Sequence, residues 1–188
     1  MINYYKTSGK NPVLENWYIV REFIQPNEYA DVKEGLNSID FQEAKTVGNS
    51  DDYRNTNIKW VPWEMEWLYD KIWHWTNVAN DDLWNFSLGG FKDTAQYGEY
   101  EAPDGKYDYH MDIMGDTINH RKVSFICSLN NGYTGGHLEF LHGRDPVEIK
   151  LGPGDAVLFP SFYLHRVTPV LTGKRESIVQ WVSGDPYR

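Results

Sequence analysis

The sequence predicts a β-dominated α+β fold, a double-sheet jelly roll with N-terminal helices packed on one sheet. From about residue 84 to residue 183, short strand-like runs alternate with tight-turn chemistry. Before that, two segments carry apolar residues at helical spacing. The 188 residues have the size of one domain whose core needs no covalent staples. One domain over 1–188 is therefore expected, with 1–83 as a mainly helical support region and 84–183 as the jelly-roll core.

The first helix is expected over 28–36, where Pro26-Asn27 opens the turn, acidic residues lie near the start and Gly35 lies near the end. Residues 47–57 are rich in Asn and Asp and read as a surface loop. Pro62 suits the first turn of a second helix running to about Val78. On it Trp63, Trp67, Leu68, Ile72 and Trp75 form one broad apolar face, expected to pack on a sheet. Strand-like runs then fall at about 85–91, 94–100, 106–112, 122–129, 137–141, 147–150, 156–159, 164–170 and 177–182. Turn chemistry separates them, as in Pro103-Asp104-Gly105, Asn130-Asn131-Gly132 and Gly152-Pro153-Gly154-Asp155.

Composition narrows the function classes. A formal net charge of -9 disfavours contact with a nucleic-acid backbone. Cys127 is the single cysteine, so no intrachain disulfide forms, and its apolar surroundings make it a small buried hydrophobe. The polar stretch 1–10 is no secretory signal and no apolar run approaches ~18 residues, so a cytoplasmic, non-membrane protein is expected. The 8 Trp, 13 Tyr and 8 Phe suit either a β-rich core or an aromatic-lined cleft.

The chemistry concentrates in the second region. In Tyr107-Asp108-Tyr109-His110-Met111-Asp112, His110 and Asp112 share one face of a strand and can converge on one ion. After the apolar run 156–159, a Pro160-Ser161 turn leads to His165, and the jelly roll can bring this strand beside the first. Two imidazoles and one carboxylate form the facial triad of non-haem iron(II) oxygenases, with open metal positions for a 2-oxo acid and dioxygen. Arg175 follows ten residues after His165, and its planar fork suits a carboxylate. Ser177 shares its face and can donate a hydroxyl to the same group, while Trp181, six residues after Arg175, is expected to point into the barrel.

These segments resemble a known family: Tyr109-His110-Met111-Asp112, then 130–140 with Gly135-Gly136-His137, then 152–170 with Leu164-His165-Arg166-Val167-Thr168-Pro169, then Gly173-Lys174-Arg175-Glu176-Ser177. They are similar to the prolyl 4-hydroxylase-like branch of the 2-oxoglutarate/Fe(II)-dependent oxygenases, above all to PKHD-type hydroxylases. Four motifs occur in family order over about 84–183, and the first 80 residues carry none.

The resemblance implies a double-stranded β-helix, with His110, Asp112 and His165 as iron ligands and Arg175 on the distal carboxylate of 2-oxoglutarate. It also implies that Tyr97 hydrogen-bonds the cosubstrate and that His137 lines the cleft or supports the site. A tyrosine frequent in the family at the end of the strand 122–129 is replaced here, with Ser128 at or near its place. Asp112 favours hydroxylation, since halogenating relatives lack the carboxylate. Fe(II), 2-oxoglutarate and O2 are the implied reactants, with ascorbate as an accompanying reductant, and a peptidyl proline or a small molecule as substrate. Two rivals share parts of the pattern: a cupin-type metal enzyme without 2-oxoglutarate, and a jelly-roll binding module without catalysis. Specificity is expected in the loops 100–106, 115–120 and 47–57, and the sequence carries no signal for oligomeric state.

Overall fold

The computed structural model describes residues 16–37, 39–43, 53–113 and 119–186. In chain order the elements are β1 (Tyr18–Val20), α1 (Tyr29–Asn37), β2 (Gln42–Glu43), β3 (Arg54–Asn55), β4 (Asn57–Trp60), α2 (Glu66–Leu83), β5 (Leu88–Gly90), β6 (Gln96–Glu101) and β7 (Lys106–His110). They continue with β8 (Arg121–Ser128), β9 (Thr134–Gly135), β10 (Leu138–Phe140), β11 (Val147–Glu148), β12 (Ala156–Pro160), β13 (His165–Val167), β14 (Val170–Thr172) and β15 (Lys174–Gly184).

Two antiparallel sheets dominate. The larger runs β1-β12-β8-β15-β6-β4-β2, with β5 also on β15. The smaller runs β11-β10-β13-β7-β3, and β14-β9 form a short ribbon. All nine strand-like runs expected after residue 84 correspond to strands.

The first region departs from expectation. It contributes four short strands, β1 to β4, and these enter both sheets. Part of the expected surface loop at 47–57 is in fact β3 and the start of β4; its residues 47–52 lie outside those described, as do 115–118 of the loop 115–120. Strands of two to four residues are too short to show alternation, so only their long-range partners define them.

The helices sit against the outer face of the large sheet. A short 3-10 turn at Pro26–Glu28 leads into α1, where the Glu28 carboxylate accepts the Gln25 N–H at 2.7 Å in a capping-box arrangement. Lys71 of α2 donates to the same carboxylate, tying the start of α1 to α2. Val32 and Leu36 of α1 and Leu68, Tyr69, Ile72 and Ala79 of α2 share one core with Phe125, Cys127, Leu158, Ile178 and Val182. Leu68 and Ile72 are fully buried, which stabilises the fold by roughly 1.5–3 kcal/mol each. Trp67 and Trp75 pack at the edge of this core, but Trp63 is 46% exposed and leaves the expected stripe, because it precedes the helix and faces solvent. The inner face of the large sheet forms a second core, where Ile126, Val157 and Phe159 meet Leu138 and Phe140 of β10. The sheet is thus buried on both sides.

Candidate metal centre

The pairing of β7 with β13 puts His165 directly opposite His110. Asp112 follows two residues later, and its backbone N–H donates to the Ser161 carbonyl at 2.9 Å. That carbonyl belongs to the turn after β12, where Tyr163 N–H closes on Pro160 O and sends the chain back to His165. Strand alternation and a proline turn thereby deliver all three side chains to one point. Their ligand atoms lie within 4.8 Å of one another. His110 Nε2 is 3.7 Å from Asp112 Oδ1, and His165 Nε2 is 3.6 Å from Asp112 Oδ2.

The donor set fits a metal ion. His110 Nδ1 lies 2.8 Å from the Asp108 carbonyl and His165 Nδ1 lies 2.9 Å from the Tyr163 carbonyl. A carbonyl only accepts, so each Nδ1 carries the proton and each Nε2 presents a lone pair. Two lone pairs and a carboxylate then face each other with no proton between them, and a cation is what such a group can hold. Burial first, then the neighbouring His165, push the His110 imidazole down to about 3, so it is neutral at physiological pH. Burial would raise the Asp112 carboxyl, but His165, His110 and the Ser124 hydroxyl hold it below its ordinary value. With His110 neutral, the Ser124 hydrogen bond to Asp112 Oδ2, 2.6 Å long, is the steady part of that support. Ser161 Oγ lies 3.0 Å behind Ser124.

Arg175 is buried at the start of β15 and donates to Ser177 Oγ at 3.0 Å. Ser177 pairs with Ser128 of β8, and both face inward. Beside Arg175 opens a cleft of about 390 Å3, lined among others by Ser128, Tyr133, Gly136, His137 and Lys150. Gly135 and Gly136 both have positive φ, and a Cβ on Gly136 would press on Arg175 Cδ at 3.2 Å, so glycine is what lets this backbone pass.

The structure corrects the expectation for Tyr97. Tyr97 pairs with Ile178, so it lies on the outer face of the sheet, while Arg175 pairs with Tyr100 on the inner face. The Tyr97 hydroxyl donates to Glu176 Oε1 and sits 3.3 Å from Lys33 Nζ, in the helix-side core. Tyr100 is the tyrosine beside Arg175, its ring centre 5.1 Å from the guanidinium carbon. Sequence inspection also missed Ser124, and Tyr107, whose ring stacks on His110 at 3.5 Å.

Trp181 faces inward as expected, opposite Ser124, with Arg121 over its ring at 3.8 Å. It therefore stands nearer the triad than Arg175. Its Nε1 is buried without a partner among the described residues. His137 lies at the cleft rim, half exposed, 3.1 Å from Glu148 Oε1. His142 packs against Tyr163, with ring centres 3.9 Å apart.

Comparison with known proteins agrees with this geometry. The family model for the 2OG-Fe(II) oxygenase superfamily matches residues 95–183, the span that holds the triad and Arg175. Over that span, a little under half of the chain, the sequence is similar to this superfamily. Among curated relatives, a PKHD-type hydroxylase of Synechococcus sp. (strain CC9605) is 42% identical over 79 residues, 40% of this chain and 36% of that protein. One from Psychrobacter sp. (strain PRwf-1) is 45% identical over 94 residues, 46% of this chain and 36% of that protein. The chain thus matches less than half the length of these PKHD-type relatives. A prolyl hydroxylase from Trichoplax adhaerens, solved with a hypoxia inducible factor peptide fragment, superposes with a TM-score of 0.77 over 90% of this chain and 84% of that one at 19% identity. A Pseudomonas putida prolyl-4-hydroxylase gives 0.72 over 93% and 98%, also at 19% identity. At that identity the superpositions show that the fold is shared. No helix among the described residues is long and apolar enough to cross a membrane.

Proposed function

We propose that this chain is an iron(II)- and 2-oxoglutarate-dependent hydroxylase, with His110, Asp112 and His165 as metal ligands and Arg175 as the anchor of the cosubstrate. The observation that carries this reading is the pair of features on one inner surface: three converging acceptors and a buried arginine whose fork, among the described residues, holds only Ser177. Bound iron would supply the redox chemistry, coupling decarboxylation of 2-oxoglutarate to succinate and CO2 with transfer of oxygen from O2 to the substrate.

The residues have separable tasks. The carbonyls of Asp108 and Tyr163 fix the two imidazole tautomers and ring orientations. Ser124 orients Asp112. The span from Ser124 beside Asp112 to Ser128 opposite Ser177 is four residues of β8, roughly 13 Å at the strand rise, which leaves room for a five-carbon diacid. Arg175 would meet its far carboxylate as a fork, with Ser177 adding a hydroxyl and Tyr100 closing one side. Val179, Phe159, Phe140 and Trp181 wall the chamber and exclude water. His137 at the cleft rim is proposed to contact substrate.

An intact ligand set together with Arg175 favours this reading over a cupin-type enzyme or a binding module. The substrate is a small molecule or a peptide, and proline-containing peptides are the first candidates because two superposing structures are prolyl hydroxylases. Anaerobic titration with iron(II) and then 2-oxoglutarate tests the assignment, with the visible charge-transfer band as readout. Succinate formation on adding air, with and without ascorbate, completes it. A band that fails to form with correctly folded protein would sink the proposal.

A further inference from the structure

Four arginines among the described residues are buried or half-buried: Arg54, Arg121, Arg166 and Arg175. Arg121 is paired with Asp93 and Arg166 with Glu139. Arg175 has no carboxylate among the described residues and is the residue assigned above to a diacid. Among the described residues Arg54 has none either: its one hydrogen bond goes to Gln96, and its Nε is buried without a partner.

Arg54 stands beside the triad although it comes from the first region of the chain. β3 pairs with β7 so that Arg54 lies opposite Tyr107. Its guanidinium carbon stands 4.4 Å from the Tyr107 ring centre, and that ring stacks on the imidazole of His110. One Nη2–H goes to Gln96 Oε1 at 2.7 Å, and Gln96 is a buried residue of the inner face of β6, opposite Val179. The cation is therefore held one ring's thickness from a metal ligand by two neutral partners. An aromatic face and an amide orient a guanidinium without neutralising it. Nη1 makes no hydrogen bond among the described residues, and a ligand carboxylate is a group that would complete this partly desolvated cation.

We propose that Arg54, oriented by Gln96 and Tyr107, binds a carboxylate of the substrate, so that the substrate is an acid whose charged group lies close to the carbon that is oxidised. This rests on the hydroxylase reading and names the substrate class for it. The carboxylate belongs either to a free amino acid or other small organic acid, or to an acidic side chain or free C-terminus of a peptide.

The whole chain, loaded anaerobically with iron(II) and 2-oxoglutarate, allows binding to be read from the shift of the visible band instead of from turnover. The probes are the free L-amino acids, short peptides with a free C-terminus, peptides with an internal aspartate, and the carboxamide of each. At least one acid is expected to shift the band, with its amide about 10- to 100-fold weaker, the loss expected for one charge-assisted pair. Arg54→Met should bring the acid down to the affinity of its amide, and Arg54→Lys should restore part of the preference. Arg144→Met, at an exposed site, should retain it in full. The class of acid that responds identifies the source of the carboxylate. Equal binding of acid and amide, no response to any acid, or a preference that survives Arg54→Met in folded protein overturns the proposal while leaving the hydroxylase reading intact. If the band itself never forms, the reading beneath falls too.

Discussion

The two faces of β15 are equally buried and behave oppositely. On the outer face Glu176 is bonded by Lys33 and Tyr97, and Ile178 and Val182 pack under the helices. On the inner face Arg175 holds one serine and Trp181 leaves its N–H without a partner. A structural face satisfies its polar groups within the chain. A face built for a ligand leaves donors open, at a cost in stability that the rest of the fold offsets. Burial alone does not separate the two; open donors do, since the outer face leaves only an acceptor, Gln180 Oε1, without a partner among the described residues.

Substitutions on either face can break or sharpen this contrast. The largest effect is expected from Asp112→Ala, which should reduce metal affinity and succinate formation by on the order of 100-fold or more, measured by iron titration and turnover. Normal turnover by that variant would show that the acceptors do not act together. Arg175→Met should raise the 2-oxoglutarate KM by roughly 10- to 100-fold while iron affinity changes little. Ser124→Ala, which leaves the ligands but loosens Asp112, should weaken iron binding about 10-fold.

On the outer face the same tools should read stability instead. Tyr97→Phe should lower the melting temperature by roughly 2–4 °C, about 1 kcal/mol, and leave the KM for 2-oxoglutarate in place. A raised KM in that variant would restore Tyr97 to the cosubstrate site. The smallest effect is pH-linked. Burial would raise the Glu176 carboxyl, but hydrogen bonds from Lys33 and Tyr97 hold it below its ordinary value. Its stabilisation is therefore present above the unfolded-state pKa and lost as pH falls through the lower folded value. Glu176→Gln should flatten the acid limb of a melting-temperature profile, and an unchanged limb would mean that this carboxylate is not part of it.

The proposed metal ligands were legible because two of them occupy alternate positions at the end of one strand and the third follows a proline turn, both of which are local signals. Arg175, Ser177 and Trp181 were legible for the same reason, sharing one strand phase. Tyr97 and Tyr100 show where that logic stops. They lie on opposite faces of β6, and residues 96–100 are buried throughout, so no polar alternation in the sequence marks which face is the chamber. Ser124 and Tyr107 look like ordinary strand residues until pairing places them. Arg54 stood in a stretch that reads as a polar loop, and only its register with Tyr107 reveals where its side chain goes.

The opposition of His110 and His165 across the seam of two strands has a mechanical consequence. The Asp112 carboxylate between them is held by Ser124 of the other sheet, so an ion seated there would clasp both sheets at one end. In the unfolded chain the same groups are separated by most of the barrel's sequence and could not grip it together. Occupancy would therefore rigidify the mouth of the barrel as well as arm it, and the empty and filled proteins should differ in how readily that end opens to proteases or hydrogen exchange.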